Sequence, residues 1–311
     1  MSKVLCRLPN HVGDCCMALP ALRLLEASGF TPILTGKRWA EDLMSGMGWR
    51  YDPIEGHVSK DLQRIRYLAD HLGPRPLGIL FPNSFSSALL FSIGRVRSAG
   101  FATDGRRLLL DKAIAEPQPM HEVERFFELA HRAIVAWGGT PAWDKPTAEL
   151  GLRVLARHEA AVRNLMAEHR IPERYALLAP IARGLHHGKV KQWPHFNELC
   201  APLRALGIEP LIFPSPHEED ETRAACPDAM ILPPTTLGNY AALAKHAQLV
   251  VANDSGISHV AAAVGAKQIT LIGVTDPGRT GPWNQKALVL GANSQWPDRS
   301  DVIDAINNLF K

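Results

Sequence analysis

The stretch that most restricts how this chain can fold is 249–282, LVVANDSGISHVAAAVGAKQITLIGVTDPGRTGP. An apolar run at 249–252 breaks at Asn253-Asp254-Ser255-Gly256, after which small and apolar residues predict a helix to 264. Gly265 stands where a left-handed helix cap would sit. A second apolar run, 268–272, leads into a loop at 273–282 dense in Gly, Thr, Asp and Pro. The unit reads β–loop–α–β–loop, and both polar loops leave the carboxyl ends of strands, where open parallel sheets bind their ligands. The first loop also offers unpaired backbone N–H groups at a helix start, which favours an anion such as a phosphate.

The same alternation runs through the rest of the chain. In the N-terminal half it predicts strands at 4–8, 31–35, 77–81 and 96–101. Helices fall after the turn at 9–14 as far as Ser28, then at 40–47, 60–71, from the turn at 82–87 to 93, and at 121–137. Pro20 inside the first of these requires a kink or a fresh helix start there. The Gly/Pro-rich segment 138–146 interrupts the pattern. Beyond it a helix at 155–169, a strand at 175–179, a loop to Trp193, a helix at 196–206, a strand at 209–213 and another helix precede the unit at 249–282. A helix at 301–310 ends the chain. At 311 residues the protein is long for one core and natural for two domains of about 150 each. We therefore expect an α/β protein with parallel sheets, divided into domains 1–155 and 156–311.

Composition narrows the partners. A net charge of +3 is too small to argue for nucleic acid, but it suits an anionic substrate or membrane surface. The five cysteines are odd in number and lack metal-binding spacing, as expected of reduced thiols in a cytoplasmic protein. No apolar run reaches the roughly 18 residues of a membrane span.

Asp14 closes the turn after the first strand, where two roles are open: helix N-cap, or a carboxylate facing a ligand as general base. Asn83 and Ser84 carry the same ambiguity, since both suit a strand-to-helix turn. Arg95, Arg97, Arg106 and Arg107 read as a solvated basic face, with anion capture the second reading. The loop 180–194, PIARGLHHGKVKQWP, offers Arg183, Lys189 and Lys191. It is one residue short of a Walker A loop and has no Ser or Thr after the lysine; a G-x-G-x-x-G fingerprint is also missing. His186-His187, lacking a third ligand at regular spacing, reads as part of an exposed basic loop rather than a metal site. Residue chemistry alone thus leads to two Rossmann-like halves facing across a cleft, with a nucleotide or phosphate held by the second and its partner substrate by the first.

Four motifs together resemble glycosyltransferase family 9, the bacterial heptosyltransferases. They are Leu8-Pro9-Asn10-His11-Val12-Gly13-Asp14 followed by Ala-Leu-Pro-Ala-Leu-Arg, Phe81-Pro82-Asn83-Ser84-Phe85 with Ser87-Ala88-Leu89, Lys191-Gln192-Trp193-Pro194, and Asn253-Asp254-Ser255-Gly256-Ile257-Ser258-His259 with Thr275-Asp276-Pro277. The likeness spans nearly the whole chain, and the Asn-Ser-Phe motif with Gly94, Arg97 and Gly100 is similar to the type II members. The resemblance implies a GT-B fold and an inverting, metal-independent transfer without a cofactor, by a monomer. The implied donor is ADP-L-glycero-β-D-manno-heptose; the acceptor is an anionic glycolipid, the lipopolysaccharide inner core, reached by transient contact with the inner membrane. By position, Asp14 matches the catalytic base and Lys191 the lysine that neutralises the departing diphosphate. Glu218, Asp254, Ser255, Gly256, Ile257, His259, Thr275 and Asp276 match the donor site; Asn10, His11, Asn83, Ser84 and Arg97 fall on the acceptor side. The chain departs from the pattern at Pro180-Ile181-Ala182, where many members carry Pro-Gly-Ala and a shorter loop to the lysine. Ser86 stands where many type II members have lysine, and His11 replaces a common Trp.

Overall fold

The computed structural model of the chain describes residues 2–183, 185–186, 188–292 and 295–311. It comprises two compact units, Met1–Thr147 and Ala148–Lys311. Residues 148–155 go with the second unit: Leu150 and Leu152 are buried, and Leu152 N–H donates to Ala263 O at 2.9 Å.

The first unit opens with β1 (Ser2–Arg7), α1 (Val12–Met17), α2 (Leu19–Ala27), β2 (Phe30–Lys37), α3 (Trp39–Met44), β3 (Arg50–Ile54) and α4 (Val58–Leu72). It continues with β4 (Leu77–Leu80), α5 (Phe85–Ile93), β5 (Arg97–Phe101), β6 (Lys112–Ile114) and α6 (Glu122–Ala136). All six strands are parallel, in the order β3-β2-β1-β4-β5-β6. Because helices cover both faces, β1 reads as a continuous apolar run rather than an alternating one, and its last four residues are buried. Leu5, Ile33, Leu80, Phe91 and Val96 form one core under α4 and α5, each worth about 1.5–3 kcal/mol of apolar burial. Pro20 marks a fresh helix start rather than a kink, and Gly29, at φ 85°, stops α2 in the left-handed region that glycine enters without steric cost. The His121 ring caps α6 in a capping box with Glu124. Edge strands β3 and β6 escaped sequence reading, because neither RYDPI nor KAI carries a buried apolar run.

The second unit repeats the topology. It contains α7 (Ala156–Glu168), β7 (Tyr175–Ala179), a hairpin of β8 (Leu185–His186) and β9 (Lys189–Val190), α8 (Cys200–Ala205), β10 (Glu209–Ile212), α9 (Glu219–Ala225) and β11 (Met230–Ile231). Then come α10 (Leu237–His246), β12 (Leu249–Asn253), α11 (Gly256–Ala263), β13 (Gln268–Leu271), the single turn α12 (Pro277–Thr280), β14 (Ala287–Leu290) and α13 (Arg299–Leu309). Six parallel strands lie in the order β11-β10-β7-β12-β13-β14. Leu178, Val251, Ile269, Phe196 and Ile306 pack into its core. The single helix expected at 196–206 is a 3-10 turn, Phe196–Leu199, followed by α8. The segment read as one helix before 249 holds α9, the short β11 and α10, and the loop before Trp193 carries the β8–β9 hairpin. Gly184 and His187 lie outside the described residues, and with them the reading of the His186-His187 pair. No helix among the described residues is long and apolar enough to cross a membrane.

Candidate active site

In each sheet the strand order reverses between two central neighbours, β1 and β4 in the first unit, β7 and β12 in the second. Loops leaving those strands diverge to opposite faces, which opens a crevice at the carboxyl edge. The motif residues follow these four strands: Asp14 in the first turn of α1 after β1, Asn83 after β4, Lys191 after β7 and Asp254 after β12.

In the first unit the helix N-cap is His11, with extended backbone and no side-chain cap bond, while Asp14 is the third residue of α1. The N-cap role considered for Asp14 therefore does not hold. Its carboxylate is one-third exposed, with Oδ2 3.3 Å from His11 Nδ1, open to solvent rather than consumed by the backbone. Arg7, a buried cation at the end of β1, holds the loop from beneath: it donates to Asn10 Oδ1 at 2.7 Å and to Leu8 O. Burial pushes its guanidinium below the ordinary arginine value.

Arg106 plays the matching part under β4. It was expected on a solvated face and is instead fully buried. It donates to Asn83 Oδ1 at 2.9 Å, to Phe101 O at 2.8 Å and to Pro82 O, and desolvation brings its pKa down to about 10. The anchoring carbonyls, which local pattern cannot locate, explain why an arginine fits there. Ser84 caps α5 by accepting Ser87 N–H. Arg97 is not brought to this edge. It opens β5 at the amino end of the sheet, where it pairs with Asp111 at 3.4 Å.

In the second unit Asp254 is buried at the end of β12 and gathers three partners. Its Oδ2 accepts from Thr275 Oγ1 at 2.5 Å and lies 3.4 Å from Lys191 Nζ, while Oδ1 lies 4.0 Å from His259 Nε2. Ser255 caps α11 without a side-chain cap bond, and its buried Oγ meets no protein partner among the described residues. The helix start at Gly256 and Ile257 thus presents N–H groups, a hydroxyl and the Lys191 ammonium together, an arrangement suited to a diphosphate. Asp276 caps α12 by accepting Gly278 N–H at 2.9 Å. Glu218, after β10, accepts from Ser215 Oγ and pairs with Arg183 Nε at 2.5 Å. That pairing commits Arg183 to a carboxylate, whereas Lys189 is exposed on β9.

Asn253 opens the fourth motif, but the sequence assigned it no role in the site. Fully buried, it spends its whole side chain on neighbouring loops: Oδ1 accepts Trp193 N–H at 2.9 Å, and Nδ2 donates to Pro180 O at 2.7 Å. The sequence showed it as a polar residue ending an apolar strand and opening a motif, with nothing to say which distant loops it holds. Among the described residues, no group of three or more His, Cys, Asp or Glu is arranged to hold a metal ion.

Residues 66–305 match the family described as Glycosyltransferase family 9 (heptosyltransferase). The chain is 28% identical over 307 residues to Lipooligosaccharide heptosyltransferase 2 of Haemophilus influenzae, covering 91% of this chain and 86% of that one. It is 27% identical over 314 residues to Lipopolysaccharide heptosyltransferase 2 of Escherichia coli K12, covering 93% and 87%. Among solved structures, E. coli ADP-heptose lps heptosyltransferase II superposes with a TM-score of 0.79 at 23% identity, over 99% of this chain and 98% of that one. A family 9 glycosyl transferase from Veillonella parvula gives 0.81 at 16% identity, over 100% and 92%. At these identities the structural likeness establishes the fold, an α/β GT-B fold of two Rossmann-like units.

Proposed function

This chain belongs to glycosyltransferase family 9 and is a glycosyltransferase, and from that premise we propose that it moves a heptose from ADP-L-glycero-β-D-manno-heptose to the lipopolysaccharide inner core, with inversion and without a metal. The observation that carries the reading is the Lys191–Asp254 pair, 3.4 Å apart at the start of α11. A lysine, a helix N-terminus and the Ser255 hydroxyl together supply the charge compensation that a metal would otherwise give a leaving diphosphate. On binding, the diphosphate competes with Asp254 for the Lys191 ammonium.

The step balances as a single displacement. The acceptor hydroxyl oxygen attacks the anomeric carbon from the face opposite ADP, and the Asp14 carboxylate takes its proton. The bond from that carbon to the β-phosphate oxygen breaks, its electron pair stays on ADP, and Lys191 with the α11 N–H groups holds the new charge. Glu218, Thr275 and Asp276 complete the donor pocket; His259 sets the orientation of Asp254. Asn10, His11, Asn83 and Ser84 line the acceptor side, with Arg7 and Arg106 fixing the loops from below. The enzyme works as a monomer on the cytoplasmic side and meets its lipid-anchored acceptor at the inner membrane.

The test is ADP release from ADP-heptose with heptosyl-Kdo2-lipid A and with Kdo2-lipid A as acceptors. Turnover with either supports the proposal, and none with both overturns it. A thermal-shift panel of other nucleotide sugars then identifies a different donor, since a ligand at 100 times its Kd stabilises by about 2.7 kcal/mol.

A further inference from the structure

The first unit leaves an apolar stripe in solvent on α5. Phe85, Leu89 and Ile93 follow one another at four-residue spacing and so share a helix face; Phe85 is 50% exposed and Ile93 43%. Beside α5 packs the 3-10 turn Arg106–Leu109, which holds Leu108 95% exposed at its tip. Such exposure is costly in water and unnecessary for packing.

The surroundings of the stripe are cationic. A cavity of about 450 Å³ between the end of α5 and the 3-10 turn is lined by Arg75, Arg95 and Arg97 together with Ser92 and Leu108. Its one acid, Asp111, faces Arg97. Arg107 stands exposed next to Leu108. Insertable apolar side chains with basic residues at their flanks match the chemistry of an anionic bilayer surface.

The stripe is also continuous with the inferred acceptor loop, because α5 begins immediately after Asn83 and Ser84. Nine helical residues span roughly 13 Å, so Asn83 and Arg95 mark the two ends of one surface strip. We propose that Phe85, Ile93 and Leu108, with Arg75, Arg95 and Arg107, form the surface by which this enzyme docks on an anionic lipid membrane. The proposal rests on the lipid-anchored acceptor inferred above; Phe85 marks the acceptor end of the strip, while Ile93, Arg75 and Arg95 carry it along the flank of the unit toward the amino end of the sheet.

Flotation of the full chain with vesicles of phosphatidylethanolamine and phosphatidylglycerol, against phosphatidylcholine alone and with no sugar nucleotide present, tests it. We expect binding to the anionic vesicles only, released by salt. Leu108→Asp and Arg107→Glu should each weaken it by about tenfold, with an unchanged Tm because both side chains point to solvent. Leu108→Asp should also raise KM for a vesicle-embedded acceptor while leaving kcat and KM for a deacylated, water-soluble acceptor unchanged. Equal flotation of wild type and Leu108→Asp overturns the proposal, as does equal binding to neutral vesicles. Displacement by inorganic phosphate beyond that by sodium chloride at matched ionic strength also overturns it, in favour of a phosphate pocket. Charge-dependent flotation without turnover of ADP-heptose would refute the proposed function and leave the docking surface standing.

Discussion

Asn253 Oδ1 accepts the backbone N–H of Trp193 at 2.9 Å, two residues beyond Lys191. The other end of the same amide donates to Pro180 O at 2.7 Å, so one side chain ties together both ends of the loop that carries the lysine. Since Asp254 is the next residue, the tie also fixes where Lys191 Nζ meets its carboxylate.

Replacing Asn253 by Ala should therefore lower stability by about 1–3 kcal/mol, the range for a buried hydrogen-bond partner left unsatisfied. Asn253→Asp keeps the acceptor for Trp193 but turns the donor facing Pro180 O into a second oxygen, so we expect it to be at least as damaging. Urea denaturation checks both, and an Asp variant as stable as wild type would contradict this account.

Lys191→Met should cut kcat by about 100- to 1,000-fold, as expected when one group stabilising a departing charge is lost. ADP should also bind more weakly, by calorimetric titration, and the titration should lose part of its salt dependence. Undiminished ADP binding would show that the ammonium stays with Asp254 when the nucleotide is bound.

For Asp14→Asn we expect kcat to fall by about 100- to 10,000-fold with ADP affinity and Tm unchanged. The carboxylate makes no cap bond, so its removal disturbs no backbone group. A fall in Tm without loss of turnover would make Asp14 a helix residue and nothing more.

Arg106→Met should destabilise the first unit by about 3 kcal/mol, because the carbonyls of Phe101 and Pro82 and the Asn83 side chain lose a buried donor together. Differential scanning calorimetry would report it as a lower Tm. ADP binding, which the proposed function assigns to the second unit, should persist.

Glu159 gives the pH dependence. Burial works to raise its pKa, but hydrogen bonds from Lys245 at 2.9 Å and His246 at 2.7 Å prevail and hold it below the ordinary 4.5. A depressed folded-state pKa contributes stability that is fully present above the unfolded value and lost as pH falls through the folded one. Below about pH 4.5 the urea midpoint of wild type should consequently fall more steeply than that of Glu159→Gln.

How much was legible in the sequence follows from how local each cause is. β7 at Tyr175–Ala179 and β12 to β13 were readable because buried parallel strands are continuous apolar runs bounded by turns. β3, β6, β11 and β14 were not, because an edge strand buries little and its place is set by the neighbour it pairs with. Asp14 and Lys191 could be singled out by motif, yet whether Asp14 capped its helix depended on which residue first took helical dihedrals, and that was His11's neighbour. Arg97 and Arg106, nine residues apart in one basic stretch, ended at opposite ends of the sheet, one paired in solvent and one wholly buried.

The sequence by itself determined two α/β halves, the order of their loops and the residue types offered at each strand end, because those depend on short-range pattern and turn chemistry. Only the tertiary structure decided which loops flank the reversal in strand order, that Asn253 locks the lysine loop, and that Arg7 and Arg106 serve as buried struts. Those depend on which strands pair and which distant carbonyls need a donor, and a hydrogen bond between residues sixty positions apart leaves no periodic trace in the chain.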